Sequence, residues 1–137
     1  MTLTVALIVF PGVQSLDVTG PMDVFAEANA FLPPGERYQL EVLGLESGLL
    51  ACSNGLSIQA HRHFGQAKSA YDLVLCAGGP GLPDQDFGPG FYAWLRGVCR
   101  KSRRFGSICN GALMLGRAGL LDGRRVTTHW SDVAALA

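Results

Sequence analysis

Residues 3–10, LTVALIVF, limit the fold more than any other part of this sequence. The run is apolar and β-branched with no clean alternation, the pattern of a strand covered on both faces. Such a strand belongs in a parallel sheet with helices packed on either side. PGVQ then breaks the run, and TGPMDVFAEANAF (19–31) reads as a helix. Pro21 falls near its first turn, where the missing N–H costs nothing, and Met22, Phe25, Ala26 and Asn29 share one face. YQLEVLGLE (38–46) alternates like a strand. LSIQAH (56–61) follows as another, after an SNG turn, and the two predict a short β excursion at the sheet edge.

YDLVLCAGG (71–79) is a buried strand that ends in glycines. PGFYAWLRGVCRKSRR (89–104) reads as a helix with Phe91, Leu95 and Val98 or Cys99 at core spacing. FGSI (105–108) predicts a strand, NGALMLGRAG (110–119) a helix, and RRVTTHW (124–130) a last strand. The order β-α-β-β-β-α-β-α-β makes an α/β fold with a mostly parallel sheet the natural solution. SDVAALA looks like the first turns of another helix. A sheet ending there lacks a strand and a helix found in larger α/β domains, so the chain is a fragment or a partner covers that edge.

The 137 residues suffice for one domain that buries roughly two-thirds of its unfolded surface. Eleven basic and eleven acidic side chains cancel, which makes this segment alone a poor nucleic-acid surface. VALIVF is far too short to span a bilayer, and neither a basic flank nor a cleavage-like site marks it as a signal peptide. The cysteines at 52, 76, 99 and 109 form no CxxC pair and read as reduced thiols of a cytoplasmic protein. No cofactor is implied. His61 and His63 in HRH are two imidazoles on one strand face, too few to argue for a metal. RKSRR (100–104) reads as a solvated helix end and FYAW as aromatic packing.

Chemistry concentrates at GSICNGA (106–112), where Cys109 falls between a strand and a helix. A nucleophile elbow needs that position and small neighbours, here Ser107 and Gly111. Helix amides aimed at the sulfur predict an acidic, reactive thiol, against the alternative of a structural cysteine. LVLCAGGPG is a glycine turn at the carboxyl end of another strand, where ligands of open α/β sheets collect. The amides of Gly79 and Asn110 could form an oxyanion hole beside Cys109. Asp17 lies just past the first strand and could manage a proton or cap the helix; taken alone, capping is the better reading. His129 could act as base to Cys109, although a half-buried strand histidine is the better reading on sequence grounds.

VALIVFPGVQSLDVTGPMDVFAEAN, YDLVLCAGGPG and SICNGALMLGRAGLLDGRRVTTHW together resemble the PfpI-like branch of the class I glutamine amidotransferase-like superfamily. The resemblance runs over essentially the whole chain. It is nearest the amino-terminal domain of AraC-type transcriptional regulators, with isocyanide hydratases second. It implies a flavodoxin-like three-layer sandwich, usually dimeric. It also implies that Cys109 is the elbow cysteine, Asp17 its acidic partner, and Gly79 and Asn110 the oxyanion amides. His129 matches a histidine near the pocket that does not complete a simple triad. Asn110 stands where the hydratases usually carry Thr, and Ala77 where relatives often carry Pro. The continuation expected of the regulators, a last strand and helix and then a helix-turn-helix domain, lies outside residues 1–137.

Three functions follow as alternatives. A sensor would bind a small effector around Cys109 and Asp17 and signal through a homodimer, with DNA contact delegated to another domain. A cysteine-dependent hydratase or amide hydrolase would use Cys109 as nucleophile and Asp17 for the proton. A redox-responsive or structural dimer would turn nothing over. Asn110 in place of Thr favours recognition over turnover.

Overall fold

The computed structural model describes residues 1–137 and has a five-stranded parallel sheet at its centre. Strand β1 (Leu3–Val9) pairs on one side with β2 (Tyr38–Gly44), and its residues from Val5 onward are fully buried. A hairpin follows, β3 (Leu49–Ala51) with β4 (Ser57–Gln59), and then the two-residue β5 (Arg62–His63). Next come β6 (Leu73–Cys76), which takes the other side of β1, and β7 (Arg104–Ser107) beyond it. The sheet order is β5-β2-β1-β6-β7. Helix α1 (Ser15–Asn29) connects β1 to β2, and α2 (Gly88–Lys101) connects β6 to β7. These crossovers travel in opposite directions along the sheet, so right-handed connections put the two helices on opposite faces. That is the flavodoxin-like sandwich. Short helices α3 (Ala112–Arg117) and α4 (Val133–Leu136) complete the chain.

The core follows the apolar pattern closely. Phe91, Leu95, Val98 and Cys99 of α2 are all buried, as their spacing predicts. In α1, Met22, Phe25 and Asn29 are half-buried, whereas Ala26 faces solvent. Cys52, Cys76 and Cys99 are buried free thiols.

Four local expectations are corrected. Helix α1 begins at Ser15, so Pro21 sits inside it and not in its first turn. Proline offers no N–H, and the carbonyl of Asp17 therefore has no helical donor four residues on. The β excursion is a separate antiparallel pair in which Ile58 faces Leu50 around the Ser53–Asn54–Gly55 turn; it does not pair with β2. His61 and His63 do not share a strand face, since His61 precedes β5, and both bond the backbone: Nδ1 of His61 accepts from Val42 N–H, and Nδ1 of His63 accepts from Gly65 N–H. Finally, residues 124–129 form no strand. Val126 and Trp130 are the segment's large apolar side chains, and both are exposed, so docking it as a strand buries too little to offset ordering it. No helix is long and apolar enough to cross a membrane.

Candidate functional site

The sheet order reverses direction at β1, and the crevice outside the carboxyl ends of β1, β6 and β7 is the expected ligand edge of such a sheet. Each of these strands delivers one piece of the site. After β1 comes Asp17, after β6 the Gly78–Gly79 turn, and after β7 Cys109 with Asn110.

Cys109 has φ +54°, the one residue other than glycine in the left-handed region. That conformation costs an L-residue about 1–2 kcal/mol, and strain of this kind gathers at functional positions. A turn of 3-10 helix over Cys109–Gly111 then leads into α3. The elbow geometry is therefore present, and Cys109 is the one exposed cysteine.

Asp17 lies in the first turn of α1, buried, and its Oδ2 accepts the Gly78 N–H at 3.0 Å. It caps nothing: the cap position is Gln14, which makes no side-chain cap bond. The capping reading is thus replaced by a bond across the sheet edge. Gly78 has to be glycine here, since a Cβ would stand 2.5 Å from Asn110 Oδ1 and 2.9 Å from Asp17 Oδ2. Burial raises the Asp17 carboxyl above its ordinary value, opposed by the Gly78 bond and by the charge of His129.

The Cys109 thiol is also raised, contrary to the acidic thiol expected from the elbow. Partial burial is the leading cause, although the residue as a whole is exposed, and the charges of Asp17 and Asp132 add to it. The Asn110 backbone N–H, bonded to the sulfur, pulls the other way and loses. A six-residue helix presents few aligned amides to change that balance.

Asn110 is buried, and its side chain pairs with Gly79 in both directions. Oδ1 accepts from Gly79 N–H at 2.8 Å, and Nδ2 donates to Gly79 O at 2.8 Å. The Gly79 amide assigned from sequence to an oxyanion hole is therefore engaged by a side chain of the protein itself. Nδ2 also donates to Asp132 Oδ2 at 3.2 Å.

His129 is half-buried and caps the turn at Trp130–Asp132 through Nδ1, which also meets Ser131 Oγ at 2.6 Å. Ser131 Oγ donates in turn to Asp132 Oδ2 at 3.3 Å. Asp132 and Gly78 were not singled out from sequence. Asp132 is signalled by SD ahead of VAAL, a helix-start pattern, but its reach to Asn110 is a tertiary fact. A separate cleft of about 410 Å³ at the same edge is lined by Pro11, Leu45, Phe64, Gln85, Phe87 and Phe91, and excludes Cys109.

A parallel α/β sandwich with a strained cysteine elbow and an acidic residue at the same sheet edge defines the class. Residues 3–136 match the DJ-1/PfpI family, and the chain belongs to it. It is 38% identical over 133 residues to a Streptomyces lividans protein designated "Uncharacterized protein in cpoL 5'region", covering 97% of this chain and 92% of that one. It is 33% identical to isonitrile hydratase of Pseudomonas putida, across 96% of this chain and 54% of the hydratase. The HTH-type transcriptional regulator CdhR of Pseudomonas aeruginosa is 30% identical, across 93% of this chain and 37% of CdhR. The chain thus spans about half or less of the hydratase and the regulator, yet nearly all of the Streptomyces protein. Among solved structures, a ThiJ/PfpI family protein from Pseudomonas syringae has TM-score 0.86 and 25% identity, over 99% of this chain and 54% of that one. An AraC family transcriptional regulator from Pseudomonas putida has TM-score 0.80 and 26% identity, over 98% and 70%.

Proposed function

We propose that this chain is the ligand-sensing domain of an AraC-type transcriptional regulator, taking a small effector at the sheet edge around Cys109, Asp17 and Asn110. The observation that carries this reading is the engaged Gly79 amide, held by Asn110 where a turnover site would keep its oxyanion donor free. A thiol raised above its ordinary value, and so a weaker nucleophile, supports it as well. Effector binding then biases an arrangement of two protomers that a DNA-binding domain reads. Leu16, Val24 and Phe31, exposed on and just after α1, offer apolar surface for that homodimer. A thermal-shift screen of small carbonyl and nitrogen compounds tests the idea. A true effector raises Tm in the parent and not in an Asp17→Ala, Cys109→Ala double variant. An equal shift in both would discard the site.

The relationship to isonitrile hydratase supports a second reading, a cysteine-dependent hydratase. In it the Cys109 thiol passes its proton to the Asp17 carboxylate as the sulfur attacks the isocyanide carbon, and Asp17 delivers that proton to the same carbon, leaving a thioimidate. Water then displaces the sulfur, giving the formamide. Formamide production that vanishes in Cys109→Ser would establish this reading over the sensor.

A further inference from the structure

Every polar atom of the Asn110 side chain is committed. Oδ1 takes the Gly79 N–H, and the two hydrogens of Nδ2 go to Gly79 O and Asp132 Oδ2. The amide cannot be turned over, because its oxygen would then face a carbonyl and a carboxylate. It also cannot leave Gly79 piecemeal. The group is a rigid plane, so a shift of Oδ1 off the Gly79 N–H carries Nδ2 with it.

Asp132 belongs to a segment held by few ties. Thr128 Oγ1 and His129 N–H both donate to the Cys109 carbonyl, at 3.2 and 3.3 Å. Asn110 reaches Asp132, and Leu136 packs half-buried on the core. Between these ties Trp130 is 82% and Val133 52% exposed. Without Asn110, Asp132 Oδ2 keeps only the Ser131 hydroxyl among its partners.

We infer that Asn110 is a latch that couples the Gly79 amide to residues 128–136. A ligand whose carbonyl or carboxylate oxygen takes the Gly79 N–H displaces Asn110 Oδ1, breaks the bond to Asp132, and frees the segment that carries Trp130. Asp132 is a positioning residue in this scheme: it acts on Gly79 only through the Asn110 amide. The inference deepens the sensor reading by giving the site an output, but the latch itself is a property of the free chain.

Residue-resolved amide hydrogen exchange on the unliganded chain tests it. In Asp132→Ala, the Gly79 amide should exchange about tenfold faster, the equivalent of roughly one net hydrogen bond, although Asp132 does not touch Gly79. Amides of strand β1 should keep their rates. In Asn110→Ala, the amides of His129 and Asp132 should exchange faster by a similar factor. Unchanged Gly79 exchange in Asp132→Ala overturns the latch, and so does equal acceleration of Gly79 and β1, which would mark general loosening. If burial of Asn110 makes Asn110→Ala unfold, the Asp132 variant decides the matter alone, since that residue lies near the surface. No ligand enters these measurements. A failed effector screen would therefore leave the latch standing, and a failed latch would leave the sensor reading standing.

Discussion

Strands β6 and β7 are neighbours, run parallel, and each brings a cysteine to the same edge of the sheet, yet the two thiols have opposite fates. Cys76 is the last residue of β6, fully buried in extended backbone and paired in register with Ile8 and Ser107. Burial pushes its thiol well above the ordinary value, and the nearby Cys99 adds to the shift. Cys109 comes two residues after β7, in left-handed backbone that turns it out to solvent. Residue type does not separate them. Position and backbone do: Cys76 still pairs inside the sheet, whereas Cys109 lies past the end of β7 in a left-handed turn, and that makes the difference between a core atom and a site.

The joint between these two strand ends gives the largest expected effect. A Cβ on Gly111 would lie 2.1 Å from the Cys76 carbonyl oxygen and 2.9 Å from that of Ala77. Gly111→Ala must therefore force the elbow off β6, at a cost of about 4 kcal/mol or more. Denaturant titration giving parental stability would show that the ends are not in contact. Next in size is the cysteine pair itself. Cys76→Ser places a hydroxyl in a fully buried apolar site and should lose about 2 kcal/mol, while Cys109→Ser should stay within about 0.5 kcal/mol of the parent. Equal losses in the same titration would erase the contrast.

A smaller effect of opposite sign should come from Cys109→Gly. It relieves the left-handed strain and should stabilise by up to about 1 kcal/mol, glycine's greater freedom in the unfolded chain removing part of the gain. A loss of stability would mean that the elbow is not strained. Asp17→Asn is expected to do least, a gain below about 1 kcal/mol at neutral pH, because the amide still accepts from Gly78 without a buried charge. The parent carboxyl is raised when folded. Its contribution is thus complete below the ordinary value of 3.8 and fades as pH rises through the folded value. The advantage of the Asp17→Asn variant over the parent should accordingly appear above that range and vanish at lower pH. Melting curves from about pH 3 to 8 would reveal it, and a pH-independent difference would assign the effect to something other than ionisation. The same substitution removes a charge that raises the Cys109 thiol, so alkylation of Cys109 should reach half its maximal rate at lower pH than in the parent.

The continuous apolar run of β1, the core spacing of α2, and the glycines that end β6 were all legible in the sequence, since hydrophobic burial and turn chemistry act through local pattern. RRVTTHW failed for the complementary reason. Its β-branched residues suit a strand, but a strand also needs an edge to pair with and apolar surface to bury, and Val126 and Trp130 bury little. Pro21 misled because proline marks the first turn statistically, while helix α1 starts at Ser15. The hairpin register at Leu50 and Ile58 was hidden because those strands are three residues long.

For the site, the sequence by itself determined that a cysteine flanked by Ser107 and Gly111 would end a strand, with a paired-glycine turn and an aspartate following two others. Tertiary structure decided what these groups do together. Asp17 holds Gly78 and caps nothing; the Cys109 thiol is raised because burial and two carboxylates outweigh one amide; and Asn110 claims the Gly79 amide. The hydrogen bonds among these groups join atoms separated by 22 to 61 residues in the chain. Hydrogen bonding and charge act over a few ångströms, so they became readable only after the sheet brought the strand ends together.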